Sequence, residues 1–319
     1  MKLLGRVLPV IAGTALALTA CSAADPASDA DRTITAGFYP LAWVSEQVAG
    51  EDWDVTNLTS TGGDPHELSI GLAQTAALER STLVVISRGL QPGVDKTVDS
   101  VAGGRVLDAA EIVDLVAVSD REDEDDSHES EDHSHEGEDD HAGHDHGDLD
   151  PHFWHDPLRM ATLADAVADH LSDLDPDHAD DYRARAGALR EELESLDAEF
   201  SDGLSTCVRD TVVVSHDAFG YLARYGLEFA PIAGLSPDAE ATPATVGRLQ
   251  RLITEEGITT VFSERLASGK MAQTLADDLG LTSAVLDPIE GLDDETADED
   301  YLSLMRANLD ALQIANDCQ

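Results

Sequence analysis

Short apolar runs alternate with helical repeats in the part of the chain that follows residue 32. Strands are predicted at 33–38, 55–58, 83–86 and 106–107, and apolar residues recur at helical spacing over 41–48 and 68–78. Strands that alternate with helices in this way form βαβ units, in which neighbouring strands run parallel. The pattern therefore predicts a parallel sheet, and ligands of such sheets bind at the carboxyl ends of the strands.

A helical region separates this part from a second alternation of the same kind. Helical spacing over 158–174 is followed by a longer helical stretch over 177–204, whose apolar stripe contains Leu189, Leu193, Leu196 and Phe200. At ~1.5 Å per residue the longer helix spans about 40 Å, which suits a rigid connector between two α/β units. Beyond it, strands are predicted at 211–215, 260–263 and 283–286, with helices near 221–225 and over 242–256 and 270–279.

Composition adds a size and a charge to this α/β pattern. A chain of 319 residues with 42% apolar residues has room for about two globular domains. The net charge of -46, from 65 acidic and 19 basic residues, argues against nucleic acid or an anionic membrane surface as a partner. Most of these carboxylates are expected to form a solvated acidic surface, which also attracts cations.

The N-terminus has the features of an export signal. Lys2 and Arg6 precede an apolar run over 7–18. This run is too short to span a bilayer, for which ~20 residues are needed. The run ends in Leu-Thr-Ala-Cys, which looks like a bacterial lipobox with Cys21 as the lipidated residue. An ordinary secretory cut near Ala20 is the alternative. The expected location is extracytoplasmic, with lipid anchoring to the bacterial membrane and a tether over 21–32.

Cys207 and Cys318 remain once Cys21 is assigned to lipid, and both are expected outside the cytoplasm. A disulfide persists in that environment, and an even number of remaining cysteines favours pairing. The chain-entropy model gives such a bridge about 4–5 kcal/mol for a loop of this size. A zinc site built on the two thiols is a weaker alternative, because the chain contains no CxxC pair.

Histidines beside Asp-Pro dipeptides are the candidate metal ligands. The stretch DPHFWHDP over 150–157 presents His152, and the Gly-Gly-Asp-Pro-His run presents His66. Proline narrows the directions that the following imidazole can take, and this favours two histidines facing one another across a metal. Two further candidates, His216 and Asp287, follow predicted strands of the second sheet, so ligands from both sheets could converge on one cleft.

The acidic segment over 120–149 has a different character. It has no apolar period and is predicted to be a disordered loop within the first domain. Half of the chain's 12 histidines lie in it, namely His128, His133, His135, His141, His144 and His146. Imidazoles interleaved with carboxylates bind divalent cations weakly at several positions, so we predict an auxiliary metal-collecting role. A charged spacer is the alternative.

Four motifs in this order carry a family resemblance. GGDPH, DPHFWHDP, SHDAFGYLARYGL and VLDPIEG, with an acidic histidine-rich loop before the second, resemble the zinc and manganese solute-binding lipoproteins of ABC transporters, the ZnuA-like group. The resemblance covers nearly all of 33–318. It implies an α/β fold with two (β/α)4-type lobes, parallel sheets and a long rigid backbone helix between them. It also implies that metal binds between the lobes to His66, His152, His216 and Asp287.

The resemblance and the patterns together give a division of the chain. The signal peptide covers 1–20 and the lipidated tether 21–32. The first lobe covers 33–156 with its loop at 120–149, linking helices cover 157–206, and the second lobe covers 207–319.

Zinc is the metal that this ligand set favours. Three imidazoles and one carboxylate suit tetrahedral zinc, whereas manganese prefers more oxygen donors. The resemblance implies that manganese-binding relatives carry a glutamate where this chain has His216. The chain departs from the family at His155, where relatives have an apolar residue, and after His66, where it reads Glu-Leu-Ser. Candidate outer groups around the ligands are His155, Glu67, Glu264 and Glu290.

The function that follows is zinc capture and delivery to an ABC permease by a monomeric binding protein that is not an enzyme. A manganese-specific protein of the same type and a surface zinc-storage protein or adhesin remain as alternatives. An exported zinc hydrolase would need an open ligand position for water and a glutamate base. The chain has no HExxH motif, and Asp287 would fill that position.

Overall fold

The computed structural model describes residues 32–102, 105–118, 149–239, 241–267 and 269–319. The export signal, Cys21 and the six histidines of the acidic segment lie outside the described residues. Within them the chain forms two four-stranded parallel sheets with helices on both faces. The predicted α/β class with two parallel-sheet lobes is therefore confirmed.

The first lobe is built on a sheet of order β2-β1-β3-β4. Its strands are β1 (Thr33–Ala36), β2 (Asp54–Asn57), β3 (Leu83–Ile86) and β4 (Val106–Asp108), and its helices are α1 (Tyr39–Ala49), α2 (Leu72–Arg80) and α3 (Pro92–Val101). All four residues of β3 are buried, as expected for an inner strand of a sheet that is covered on both faces. The helical repeat predicted from residue 68 begins only at Leu72, and α3 was not predicted.

The second lobe repeats this arrangement with a sheet of order β6-β5-β7-β8. Its strands are β5 (Thr211–Val214), β6 (Glu228–Pro231), β7 (Thr260–Ser263) and β8 (Thr282–Val285), and its helices are α6 (Pro243–Glu256), α7 (Lys270–Leu279) and α8 (Tyr301–Asn316). Helices α6 and α7 end at Gly257 and Gly280, which take the left-handed conformation that glycine adopts without strain. The predicted helix near 221–225 is a short 3-10 helix, Gly220–Tyr225.

Two helices connect the lobes. Helix α4 (Pro157–Leu174) begins at Asp156, whose carboxylate accepts hydrogen bonds from the first backbone N–H groups. Helix α5 (Ala179–Leu204) has 26 residues, so it is about 39 Å long at ~1.5 Å per residue. Its buried stripe is Tyr182, Ala186, Leu189, Leu193, Leu196, Phe200 and Leu204. This stripe belongs to one continuous apolar core that contains buried residues of both sheets.

The C-terminus is fixed to the start of the second lobe. Cys207 and Cys318 form a disulfide, as the sequence predicted, and the N–H groups of Val208 and Arg209 donate to the carbonyl of Asn316. The end of α8 is thereby held beside β5. Across the described residues, none of the helices combines the length and the apolar content that a membrane crossing requires.

Candidate metal centre

Loops at the carboxyl ends of the strands bring four ligand-type side chains together. His66 lies in the loop after β2, His216 follows β5, and Glu290 lies in the loop after β8. His152 precedes a 3-10 turn, Phe153–His155, that leads into α4. Because parallel strands end at one edge of a sheet, these loops meet where the two lobes face each other.

Asp-Pro turns fix the backbone at three of these positions. The carboxylates of Asp64, Asp150 and Asp287 each accept a hydrogen bond from the N–H two residues later, at 2.8, 2.9 and 2.8 Å respectively. This is the Asx-turn, in which the aspartate side chain substitutes for a backbone carbonyl. The first two turns therefore fix the backbone of His66 and His152 directly, and the third ends at Ile289, next to Glu290.

The four side chains form a compact, buried group. One ligand atom from each of His66, His152, His216 and Glu290 lies within 4.8 Å of all the others. Glu290 Oε1 lies 3.2, 3.7 and 3.5 Å from the Nε2 atoms of His66, His152 and His216 respectively. None of the four residues is more than 8% exposed.

These spacings suit a tetrahedral zinc ion. With bonds of ~2.0–2.1 Å, two ligand atoms of a tetrahedral zinc are about 3.3–3.4 Å apart, which is close to the three distances between Glu290 Oε1 and the histidine Nε2 atoms. The Nε2 atoms of His152 and His216 are buried and make no hydrogen bond within the described residues. Buried polar atoms without partners are costly, so inward-facing ring nitrogens of this kind point to a bound cation.

The pKa values at the centre are shifted in opposite directions. Burial would raise the pKa of Glu290, but the nearby His66 and His216 outweigh it and hold that pKa well below its ordinary value. Burial acts to lower the pKa of His216, yet hydrogen bonding to Glu264 and the negative charge of Glu290 raise it to about 10. For His152, burial dominates and lowers the pKa. Without metal, Glu290 is thus ionised, and the His216 ring is positively charged with a proton on each of its two nitrogens.

Asp287 is not a member of this group, contrary to the expected ligand set. Its Oδ1 accepts the N–H of Ile289, and its Oδ2 lies 3.2 Å from the Nε of Arg265. Its backbone N–H and C=O are both hydrogen-bonded to the side-chain amide of Asn308, at 2.8 and 2.7 Å. Asp287 therefore holds the turn, and Glu290, which the sequence suggested only as an outer group, supplies the carboxylate.

The other candidate outer groups take different places. Glu264 Oε1 lies 2.6 Å from His216 Nδ1. His155 is fully buried between the rings of Trp154 and Phe219, and burial lowers its pKa to about 3. Glu67 is exposed. Asp150, which was not a candidate, lies 2.7 Å from His152 Nδ1 through the same oxygen that closes its Asx-turn.

Comparisons with known proteins show which family the chain is similar to. The family model described as zinc-uptake complex component A, periplasmic (ZnuA) matches residues 34–315. The chain is 34% identical over 307 residues to the zinc-binding lipoprotein AdcA of Streptococcus pneumoniae, covering 95% of this chain and 59% of that relative. It is 31% identical over 315 residues to the high-affinity zinc uptake system protein ZnuA of Bacillus subtilis, covering 95% of both chains.

Among solved structures, the chain resembles the Zn(II)-bound ZnuA-like domain of Streptococcus pneumoniae AdcA. The TM-score is 0.71 at 30% identity, and the match covers 90% of this chain and 99% of that domain. The chain therefore spans about three fifths of full-length AdcA and corresponds to one domain of it.

Proposed function

The chain belongs to the family of the zinc-uptake complex component A, the ZnuA family of solute-binding transport proteins, and on that premise we propose that it captures zinc outside the cytoplasm for ABC-type uptake. The observation that carries this proposal is the buried group of three histidine Nε2 atoms around Glu290 Oε1. Three nitrogen donors and one oxygen donor suit zinc better than manganese.

Each residue of the group has a definite task in capture. His66, His152 and His216 donate Nε2 lone pairs, and Glu290 supplies a negative charge. Asp150 and Glu264 are further buried carboxylates against two of the rings. Three carboxylates outnumber the one protonated ring, His216, so the metal-free centre carries a net negative charge that a dication can neutralise.

Release follows from the distribution of the ligands. His66 belongs to the first lobe, whereas His216 and Glu290 belong to the second. A small movement of one loop away from the other lobe breaks the set of four donors, and zinc affinity falls steeply. Docking to a membrane permease would supply the energy for this movement.

The remaining parts of the proposal concern the setting of the protein. Cys21 carries the lipid that holds the chain at the outer face of the membrane, and the histidine-rich segment raises the local zinc concentration. The chain acts as a monomer and catalyses no reaction. The acidic surface, with a net charge of -46, attracts cations and repels nucleic acid.

Metal stoichiometry tests this function. The soluble chain from Ser22 onward, with and without residues 120–149, is titrated with zinc against manganese in the presence of a competing chelator. We expect one tight zinc ion that survives deletion of the segment and is lost on His216→Ala. Loss of tight binding with the segment would favour storage, and a preference for manganese would overturn the choice of metal.

A further inference from the structure

Two buried carboxylates outside the ligand group contact the outer nitrogens of two histidines. Asp150 Oδ1 lies 2.7 Å from His152 Nδ1, and Glu264 Oε1 lies 2.6 Å from His216 Nδ1. Asp150 is fully buried and Glu264 is 7% exposed. A carboxylate accepts hydrogen bonds only, so each contact requires a proton on Nδ1 and leaves the lone pair on Nε2.

Both carboxylates are themselves held in place. The backbone carbonyl of Asp150 accepts a hydrogen bond from the Tyr221 hydroxyl at 2.8 Å, and its N–H donates to Val116 at 2.8 Å. Glu264 follows β7 directly and also accepts a hydrogen bond from the hydroxyl of Ser215. Turning the Asp150 carboxylate away would break its hydrogen bond from the His152 N–H, and turning the Glu264 carboxylate away would break its contact with Ser215.

We propose that Asp150 and Glu264 are positioning residues, which fix His152 and His216 in the tautomer that offers Nε2 to zinc and strengthen those nitrogens as donors. This inference rests on the proposed function. A carboxylate against the outer nitrogen orients the ring and raises its basicity, and its loss weakens metal binding by about 10–100-fold in comparable sites. One such residue comes from the segment before α4 and the other from the second lobe, so each of the two rings is oriented separately.

Glu264 gives the sharper test of the two. Asp150 also closes an Asx-turn, so a substitution there changes the backbone of His152 as well as its ring. Glu264 makes no such turn, and its described hydrogen bonds go to Ser215 and His216. A loss of zinc affinity in a Glu264 variant that is accompanied by a changed cobalt(II) spectrum is therefore attributable to the orientation and basicity of His216.

The experiment compares Glu264→Gln, Glu264→Leu and the control Asp108→Asn. Gln retains an oxygen that can accept from Nδ1 but removes the charge, and Leu removes both. Asp108 is a carboxylate of similar burial, 8% exposed, that accepts backbone N–H groups from Arg88 and Ala110 away from the metal centre. Zinc affinity is measured by chelator competition, ligand geometry by the absorption spectrum of bound cobalt(II), and folding by the melting temperature of the metal-free protein.

We expect one zinc per chain in every variant. The affinity should fall about tenfold in Glu264→Gln and by up to about 100-fold in Glu264→Leu, with a changed cobalt spectrum, while Asp108→Asn matches the wild type. Wild-type affinity and an unchanged spectrum in Glu264→Gln would overturn the inference, as would a lowered melting temperature with unaltered zinc binding. Failure of the wild type itself to bind one tight zinc would instead refute the proposed function.

Discussion

Glu290 is the residue that decides the chemistry of the centre. Its Oε1 lies between 3.2 and 3.7 Å from the Nε2 atoms of the three histidines, and its side chain is almost fully buried. Glu290→Gln removes the charge without changing the shape. Removing one partner of a buried charge pair costs ~3–5 kcal/mol, so we expect the zinc dissociation constant to rise by about 10²–10⁴-fold in a chelator-competition titration.

The matched control for this variant is Asp287→Asn. Asn keeps an oxygen that can accept the N–H of Ile289, while the ion pair with Arg265 is lost. That pair lies at the edge of the site, so the zinc dissociation constant should stay within about tenfold of the wild type. A large loss in Asp287→Asn combined with little change in Glu290→Gln would mean that the fourth ligand is Asp287 after all.

The proton on His216 predicts a pH dependence of zinc binding. Its pKa is raised to about 10 by Glu264 and Glu290 against the opposing effect of burial, so the ring is protonated at neutral pH and zinc must displace that proton. Below pH 10 each unit of rising pH should therefore lower the dissociation constant about tenfold. In the metal-free protein the protonated ring stabilises the fold fully below about pH 6.5, and this is lost as the pH rises towards 10.

Calorimetry in buffers of different ionisation enthalpy measures this directly. About one proton should be released for each zinc bound at pH 7.5, because burial lowers the pKa of His152 and keeps that ring neutral. A dissociation constant that stays constant between pH 7 and pH 9 would contradict the proton assignment for His216.

The three histidines of the site could be predicted from the sequence, and the carboxylate could not. His66 and His152 stand directly after Asp-Pro, and His216 follows an apolar strand. In both Asp-Pro-His motifs the aspartate closes the turn with the N–H of the histidine, and that histidine points into the site. The turn at Asp287 closes with Ile289, so the same spacing does not identify Glu290, which lies one residue further along. The resemblance assigned the carboxylate to Asp287, and the local pattern gave no reason to choose Glu290 instead.

At the scale of elements, the turn that carries His152 is fixed to the turn that carries Glu290. The indole N–H of Trp154 donates to the carbonyl of Pro288 at 2.7 Å, and the carbonyl of Trp154 accepts from the Tyr301 hydroxyl at 2.6 Å. Trp154 also packs edge-on against Phe38 of the first lobe, with ring centroids 4.9 Å apart. These contacts join the turns that carry two of the four candidate ligands.

Trp154→Phe tests this connection. The aromatic packing is largely retained, but the Pro288 carbonyl loses its donor in a buried place, which costs ~1–3 kcal/mol of unfolding free energy. We expect this loss in denaturant unfolding of the metal-free protein, together with weaker zinc binding because the Glu290 turn is less fixed. The measurement pairs each unfolding curve with a zinc titration.

Trp53→Phe is the control for that variant. The indole of Trp53, 6% exposed, donates to the Tyr182 hydroxyl at 2.8 Å, which joins α5 to the loop before β2, away from the metal centre. It should lose comparable stability with unchanged zinc affinity. If both tryptophan variants weakened zinc binding equally, the effect would be one of general stability.

Two of the elements that the sequence did not predict, β6 and α3, have weak local patterns. Strand β6 contains Glu228 and Pro231, has one buried residue and lies at a sheet edge, where proline is tolerated. Helix α3 buries only Val94 and Val98, and two apolar positions are too few to identify a helix from the sequence. Helix α8 is different, because Asp300 caps it and its buried residues recur at helical spacing. We did not predict it although the signal was present.

At the scale of the whole molecule, the centre depends on how two similar sheets are joined. Strands with continuous apolar runs, such as β3 and β5, made both parallel sheets predictable. Nothing in local pattern specifies which loop of one lobe meets which loop of the other, because that follows from packing around α4 and α5. The largest apolar cluster of the described residues contains side chains of both sheets together with α4 and α5, and it fixes this relation.

A backbone hydrogen bond joins the loop that carries His66 to the loop that carries Glu290. The N–H of Gly62, four residues before His66, donates to the carbonyl of Leu292, two residues after Glu290, at 2.8 Å. Gly62 is exposed, so this hydrogen bond is readily replaced by water when the loops separate. In the proposed ligand set zinc joins His66 to Glu290, and binding should therefore favour the closed arrangement by the free energy of ligation.

Hydrogen exchange at the Gly62 amide measures this closure. At a free zinc concentration of about 1,000 times the dissociation constant, linkage adds ~4 kcal/mol to the closed form, so exchange at Gly62 should slow by about 10³-fold. The amide of Gly37, which donates to Val85 inside the first lobe, is the internal reference and should slow much less if it exchanges by a local opening that keeps zinc bound. Equal exchange at Gly62 with and without zinc would mean that metal enters without separation of these loops, and uniform slowing at both amides would mean that the molecule opens only as a whole.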